Sequence, residues 1–296
     1  MKRPHLLPLL TAALAAVFVP FAHAATEQPA LTLERIYADP PLTGLLPRGA
    51  SISPGGKWVS YLRASATDSE VIELWAQPLD GGAARKLVAV ADLIGQQKAT
   101  LTEAEKMALE RRRIQGRGIT SFQWCGADDT RLIVPLSGDL YAVTLTASGV
   151  TTQRLPKEAG EPAREPQCDK AGQKIAFVKG GDLWVQALDG GAARRLTSTG
   201  SATRTTGLAE FIAEEELSRH KGFWWSPDGM RLLAIESDES GVPVKVRAQI
   251  FADRTAMTEQ RYPAAGEANA KLRALVIEAD GSATQALTLP AESEYI

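Results

Sequence analysis

Three consecutive glutamates, Glu214, Glu215 and Glu216, are the side chains best suited to bind a cationic group. Adjacent helix positions differ by about 100° around the axis, so two neighbouring acids can flank one point in front of a helix end. Adjacent carboxylates repel each other, and a protonated amine between them relieves that repulsion and donates hydrogen bonds. The alternatives are a solvated helix face, or a metal site with His220 that lacks further ligands nearby.

No catalytic motif accompanies these acids. The sequence has no G-x-S-x-G nucleophile motif, and Ser218 and Lys221 form an isolated S-x-x-K without its usual companion motifs. It also has no H-E-x-x-H, P-loop or dinucleotide-binding fingerprint. We therefore predict that the chain carries no catalytic residue, no metal and no cofactor.

The first residues have the pattern of a secretory signal peptide. Lys2 and Arg3 precede an apolar run from Leu6 to Phe21, and Ala22-His23-Ala24 fits a cleavage site after Ala24. An uncleaved membrane anchor is the alternative, but the run is short for a span and contains two prolines. We expect a periplasmic or secreted protein without a membrane span.

Composition excludes some classes of partner and site. The net charge is −2, with no long basic run, so we expect no nucleic-acid binding. Cys125 and Cys168 are the two cysteines. An oxidising compartment would allow a disulfide, but they occupy equivalent positions of a repeat, which we expect to lie too far apart to bridge.

Internal repetition predicts the fold. Residues 75–87 (WAQPLDGGAARKL) and 184–196 (WVQALDGGAARRL) each describe a strand, an Asp-Gly-Gly turn and a return strand. Tight turns starting at Ser53, Cys125, Cys168 and Ser226 each lead into a short apolar strand. A unit recurring every ~40–60 residues is typical of β-propeller blades, which bury their faces against each other. A β-sandwich is the alternative.

Two segments interrupt the strands and are predicted to be helical insertions. Residues 101–115 (LTEAEKMALERRRIQ) have Thr102 as a candidate N-cap, with Glu105 three residues later. Residues 208–220 (LAEFIAEEELSRH) contain the acidic triplet and are followed by Gly222. Insertions project from one face of a blade array and commonly carry function.

Three segments resemble the dipeptidyl peptidase IV family of serine peptidases, in the prolyl oligopeptidase clan. Residues 210–229 (EFIAEEELSRHKGFWWSPDG) resemble its signature. Arg261-Tyr262-Pro263, with Ala265-Gly266 and Asn269, is similar to its next motif, RYPxAGxxN. Residues 31–44 (LTLERIYADPPLTG) resemble the start of bacterial members. The resemblance implies an eight-bladed propeller joined to an α/β-hydrolase domain, and release of dipeptides whose second residue is proline or alanine.

The resemblance also implies roles for individual residues. The last two acids of the family's EEE motif hold the substrate's free α-amino group, which here implies Glu215 and Glu216, with Glu214 as a neighbour. An arginine from a helical insertion contacts the substrate's peptide carbonyl. Arg111, Arg112 and Arg113 are the candidates, and we select Arg113 because it directly precedes Ile114. A guanidinium suits a carbonyl, whereas the alternative is three surface charges balancing nearby glutamates.

The predicted organisation is an all-β, partial and unclosed β-propeller of the eight-bladed type with two short helical insertions. Residues 1–24 are the signal peptide, 25–50 an extension leading into the propeller, and 51–296 the incomplete propeller. The remaining blades and the α/β-hydrolase domain with the catalytic triad are expected to be absent from the chain.

The predicted function is recognition of peptide N-termini within a secreted serine-type dipeptidyl peptidase that releases X-Pro or X-Ala dipeptides. The expected partners are peptides with a free N-terminus, the missing blades and hydrolase domain, and a second subunit in a full-length homodimer. We expect the chain alone to be inactive. One alternative is a stand-alone periplasmic propeller that acts as a binding scaffold. Another is a different clan member, such as an acylaminoacyl peptidase, without an acid pair facing the tunnel.

Overall fold

A computed structural model describes residues 31–38, 41–44, 46–97, 99–101, 105–106, 109–110, 114, 116–146, 148–156, 161–250, 253–290 and 295–296. The predicted signal peptide lies outside these residues. The chain divides into two units, Met1–Leu42 and Thr43–Ile296. In the first, helix α1 (Leu33–Tyr37) begins after Thr32, whose side chain accepts a hydrogen bond from the backbone N–H of Arg35. Within the described part of the chain, no helix meets the length and apolarity needed to cross a bilayer.

The second unit contains four successive antiparallel sheets, which we call blades 1 to 4. Blade 1 consists of β1 (Arg48–Ile52), β2 (Trp58–Ala64), β3 (Val71–Pro78) and β4 (Arg85–Val88). It is followed by helix α2 (Val90–Ile94) and by β5 (Arg117–Gly118), which pairs in parallel with β3. Blade 2 consists of β6 (Gln123–Trp124), β7 (Arg131–Leu136), β8 (Asp139–Thr146) and β9 (Gly149–Arg154).

The next two blades differ in complexity. Blade 3 consists of β10 (Arg164–Cys168), β11 (Lys174–Lys179), β12 (Asp182–Ala187) and β13 (Arg194–Arg195). Blade 4 contains β14 (Arg204–Thr206), helix α3 (Phe211–Glu215), β15 (Phe223–Trp225) and β16 (Arg231–Asp238), then β19 (Lys271–Glu278) and β20 (Thr284–Ala286). Between β16 and β19 a separate hairpin is formed by β17 (Val244–Ile250) and β18 (Thr255–Arg261).

Three clusters of buried side chains lie between successive blades. Leu74 of blade 1 and Leu132 of blade 2 belong to the first cluster. Ile133 and Ile175 belong to the second, between blades 2 and 3, and Val178 and Phe223 to the third, between blades 3 and 4. Successive sheets therefore bury apolar faces against each other, as the repeats predicted. No pairing among the described strands joins blade 4 to blade 1, so the prediction of a partial, unclosed propeller is confirmed.

The repeated Asp-Gly-Gly turns form as the sequence predicted. The side chain of Asp80 accepts a hydrogen bond from the backbone N–H of Gly82, and that of Asp189 accepts one from Gly191. The middle glycine of each turn has a positive φ, 95° in the first and 105° in the second, which an L-residue with a side chain rarely adopts. Identical turn chemistry therefore connects β3 to β4 and β12 to β13.

The expectation that Cys125 and Cys168 are too far apart to bridge was wrong. They form a disulfide, with their Cα atoms 5.4 Å apart. Cys125 directly follows β6 and Cys168 ends β10, the first strands of adjacent blades. These strands touch, because the side chain of Gln123 donates to the carbonyl of Pro166 and accepts from the backbone N–H of Cys168. Equivalent positions of neighbouring blades are therefore close where their first strands meet.

Candidate functional site

Helix α3 carries the acidic triplet and is shorter than the predicted 208–220 segment. Its N-cap is Glu210, whose side chain accepts hydrogen bonds from the backbone N–H of Ile212 at 2.6 Å and of Ala213 at 2.9 Å. Glu210 is buried, so the start of the helix is fixed inside the protein. The chain then leaves the helix, and Ser218 has a φ of 53°, a left-handed conformation in which a helix cannot continue.

The acids lie at the end of this helix. Glu215 is its last residue and Glu216 its C-cap, and both are exposed, whereas Glu214 is half-buried. The backbone N–H of Glu216 donates to the carbonyl of Ile212 at 2.9 Å. Unpaired carbonyls at a helix C-terminus disfavour anions and favour cations. Two adjacent carboxylates at such an end therefore form a local environment that a cationic group would stabilise.

The second family-like motif packs against the helix that bears the acids. The rings of Phe211 and Tyr262 meet edge to face, with centroids 4.9 Å apart and planes at 67°. The side chain of Arg261 donates to the carbonyl of Val242 at 2.6 Å, which fixes the base of the β17–β18 hairpin. The two sequence motifs are thus in direct contact, although about 50 residues separate them in the chain.

The arginine candidates Arg111, Arg112 and Arg113 lie outside the described residues. Two neighbours in the same insertion, Glu105 and Glu110, are described and helical. The carboxylate of Glu105 accepts from the backbone N–H of Gly138 at 3.2 Å, in the β7–β8 turn. The carboxylate of Glu110 accepts from Arg247 of the β17–β18 hairpin at 2.8 Å. The insertion is therefore attached to both blade 2 and the β17–β18 hairpin.

A cavity of about 260 Å³ lies beside the first insertion. One wall is formed by the first insertion through Glu105, Leu109 and Ile114, and Lys221, which follows the predicted 208–220 segment, also lines the cavity. The remaining wall comes from the first strands of blades 2 and 3 and the residues beside them, among them Phe122, Gln123, Arg164, Glu165 and Pro166. The cavity is therefore bordered by the first insertion and by Lys221, whereas none of residues 208–220 lines it.

Glu165 is a cavity residue that the sequence analysis missed. Its φ is 47°, and β10 has a register shift between Arg164 and Gln167. Blade 1 has the same irregularity between Arg48 and Ser51, where Gly49 adopts a φ of 59°. A glycine adopts this conformation without strain, whereas a glutamate does so at a cost. Comparing the two repeats in the sequence would have identified Glu165 as a side chain at a position that suits glycine.

The fold and the site together define a class of protein. The protein is a β-propeller segment with a short acid-bearing helix, and its other insertion borders a cavity beside the first strands of blades 2 and 3. Such an arrangement suits recognition of a polar ligand and includes no catalytic triad among the described residues.

Comparison with known proteins identifies the family. The family described as "Dipeptidyl peptidase IV (DPP IV) N-terminal region" matches residues 130–296, and the chain belongs to it. Dipeptidyl peptidase 8 of Homo sapiens is 29% identical over 204 residues, covering 60% of this chain and 23% of that protein. Dipeptidyl peptidase 4 of Felis catus is 27% identical over 137 residues, covering 44% and 17% respectively.

A solved structure has the same fold. The crystal structure of Porphyromonas gingivalis dipeptidyl peptidase 4 superposes with a TM-score of 0.60 at 18% identity. The match covers 83% of this chain and 33% of that chain. The chain therefore corresponds to the propeller region of the dipeptidyl peptidase IV family, and its matches span 23% and 17% of the two curated relatives above.

Proposed function

We propose that this chain is the part of a secreted serine-type dipeptidyl peptidase that binds the free N-terminus of peptide substrates. Glu215 and Glu216 hold the substrate's α-amino group, and Arg113 contacts the peptide carbonyl. The observation that carries the proposal is the position of the two acids, adjacent and exposed at the end of a helix whose base is buried. An ammonium placed between them gains two charge-assisted hydrogen bonds.

Binding of the substrate's amino group by Glu215 and Glu216 would explain why the released product is a dipeptide. A peptide enters until its ammonium meets the acids, and that contact decides which carbonyl reaches a nucleophile elsewhere in the protein. Release of X-Pro or X-Ala dipeptides and the serine-type mechanism belong to the proposal, because they depend on parts of the protein outside this chain.

The proposed partners include further blades of the same protein. Arg131 donates to the carbonyl of Gly172 in the next blade, and Lys174 makes the equivalent contact with Gly229. Arg231 is the next residue in this series, but it donates to Glu278 of its own blade. Since the face of blade 4 that carries Arg231 is exposed, we propose that a further blade covers this face. We propose that a hydrolase domain follows the remaining blades. The full-length protein is proposed to form a homodimer.

The decisive experiment removes one carboxylate charge at a time from the full-length protein. A hydrogen bond to a charged group contributes about 1.5–3 kcal/mol, so Glu215→Gln and Glu216→Gln should each lower kcat/KM on an X-Pro chromogenic substrate by about tenfold or more. Glu259→Gln, on the exposed β18 strand, is the matched control and should leave kcat/KM unchanged. Near-normal rates for both acid variants would reject the proposal.

We also propose a periplasmic or secreted location with cleavage after Ala24. The disulfide between Cys125 and Cys168 supports this location, because such bonds persist in oxidising compartments. Mass spectrometry of the mature protein from its native host should find an N-terminus at Ala25. A mature protein that retains Met1, or whose two cysteines are reduced in the cell, would contradict this location.

A further inference from the structure

Arg219 connects three parts of the segment that carries the acids. Its side chain is 17% exposed, and Nη1 donates to the carbonyl of Lys221 at 2.8 Å. Its Nη2 lies 3.8 Å from Oε1 of Glu210, the buried cap at the start of α3. Its own backbone N–H donates to the carbonyl of Ala213, inside the helix, at 2.8 Å. One residue thus contacts the start of the helix, its middle and the chain that follows it.

The segment needs such contacts. Helix α3 has five residues, and isolated helices of that length are unstable in water. After Glu216, the chain reverses through Ser218, whose left-handed conformation costs on the order of 1 kcal/mol for a residue with a side chain. Glu216 is separated from Ser218 by Leu217 alone, so the path of the reversal affects where the two acidic side chains are placed.

Arg219 stabilises the fold less than an apolar residue could at the same position. Burial lowers the pKa of Arg219, and the charge of Glu210 opposes that shift. Its Nε and Nη2 are buried and have no hydrogen-bond acceptor among the residues that the structure describes. An unpaired buried donor costs about 1–3 kcal/mol, and apolar replacements of buried ion pairs are often neutral or stabilising. Glu210 would stay satisfied without it, since two backbone N–H groups already donate to its carboxylate.

We propose that Arg219 is a positioning residue for the acid pair: it holds residues 216–221 against the base of α3, so that Glu215 and Glu216 converge on one amine. This inference rests on the proposed function, because the property that Arg219 sets is the affinity of the pair for a peptide N-terminus. Arg219 itself contacts no substrate. Its effect reaches the acids through Glu210, Ala213 and Lys221.

The test compares Arg219→Met and Arg219→Lys with the full-length wild-type protein. The substrate is an X-Pro chromogenic dipeptide, and the melting temperature is measured for each variant. A variant that weakens binding of the ground state and of the transition state by the same free energy raises KM and leaves kcat unchanged. We expect Arg219→Met to raise KM about tenfold with kcat within about twofold. Arg219→Lys keeps the charge and one donor direction, so we expect it to recover part of the affinity.

Arg204→Met is the matched control, because Arg204 is another ion-paired arginine of blade 4 and its partner is Asp238, not a residue of the acid-bearing segment. It should lower the melting temperature without raising KM. The proposal is overturned if Arg219→Met changes KM no more than Arg204→Met does. If Arg219→Met does not fold, the lysine variant decides: a KM equal to that of wild type with a lowered melting temperature also overturns the proposal.

Failure of the proposed function gives a different result. Wild-type protein that binds an N-acetylated dipeptide as tightly as the free amine would reject amine recognition altogether, and the positioning role with it. Wild-type protein that prefers the free amine, combined with an Arg219→Met variant of unchanged KM, would reject the positioning role alone.

Discussion

The residues around the acidic triplet make specific contacts that fix the position of its helix. A triplet that only faced solvent would not require them. A buried carboxylate caps the helix, an aromatic pair fixes its first residue, and an arginine holds the chain that leaves it. Each contact restricts the acids without touching them. Affinity at such a site depends on preorganisation, because fewer side chains remain to be ordered when the ligand binds.

The disulfide is the second residue-scale feature with a measurable consequence. Cys125 and Cys168 are 43 residues apart and join the first strands of blades 2 and 3. A disulfide of this loop length typically contributes about 2–4 kcal/mol, since it restricts the unfolded chain. We expect the Cys125→Ser/Cys168→Ser double variant to lose about that much free energy of unfolding, measured by urea denaturation.

Reductant provides the control for this measurement. Wild-type protein in reducing buffer should unfold near the midpoint of the double variant, and the double variant itself should not respond to reductant. Equal midpoints for oxidised wild type and the double variant would show that the bridge adds nothing to stability.

Among the secondary-structure elements, the insertion at residues 101–115 contacts blade 2 and the β17–β18 hairpin in the described part of the chain. Glu105 accepts from the β7–β8 turn, and Glu110 pairs with Arg247 on the β17–β18 hairpin. The side chains of the second pair are 57% and 48% exposed, so it contributes a modest and salt-dependent free energy. The hairpin thereby helps to set the geometry of an element that borders the cavity.

Removal of this ion pair should therefore loosen the insertion. Arg247→Ala is expected to increase the rate of trypsin cleavage within residues 111–113 about two- to fivefold, the effect of a surface pair worth up to about 1 kcal/mol. Gel electrophoresis with mass spectrometry of the fragments measures that rate. High salt should reduce the difference between wild type and variant.

Lys245→Ala is the matched control, because Lys245 lies on the same hairpin strand and pairs with Glu267 instead of the insertion. It should leave cleavage within residues 111–113 unchanged. A Glu110→Arg/Arg247→Glu charge swap should restore protection. Equal cleavage rates in wild type and Arg247→Ala would show that the hairpin does not hold the insertion.

At the scale of the whole molecule, each blade covers one face of the blade before it, and this burial is missing on the outer face of blade 4. Ile133 of blade 2 and Ala176 of blade 3 are fully buried by the following blade, whereas the corresponding Leu233 of blade 4 is 38% exposed. Repeat arrays are stabilised by contacts between neighbours, so an uncovered sheet face contributes less than the others. This difference supports the proposal that a further blade packs there.

The sequence could predict those parts of the fold that depend on residues close together in the chain. The Asp-Gly-Gly hairpins follow from turn geometry within a few residues, and their repetition indicated blades. The disulfide was missed, because the approach of Cys125 and Cys168 arises from the stacking of two blades. The predicted helix 208–220 was too long, because its burial at Glu210 and its reversal at Ser218 depend on tertiary contacts.

The same limit applies to the site. The acidic triplet was visible as a motif, since its chemistry depends on adjacent residues. Arg219 and Glu165 were not visible, because one acts through burial and the other through an irregular strand. Residues whose importance comes from the backbone around them require the structure, unless a second copy of the repeat, such as Gly49 for Glu165, provides a comparison.

The central claim is that Glu215 and Glu216 recognise a free α-amino group, and competition by unlabelled peptides tests it most directly. Inhibition constants of a free X-Pro peptide and its N-acetylated form are measured on full-length wild type and on the Glu215→Gln/Glu216→Gln double variant. Wild type should bind the free amine at least about 100-fold more tightly, from the loss of charged hydrogen bonds worth about 3 kcal/mol, and the double variant should lose that preference. Equal inhibition of wild type by both peptides would contradict the account.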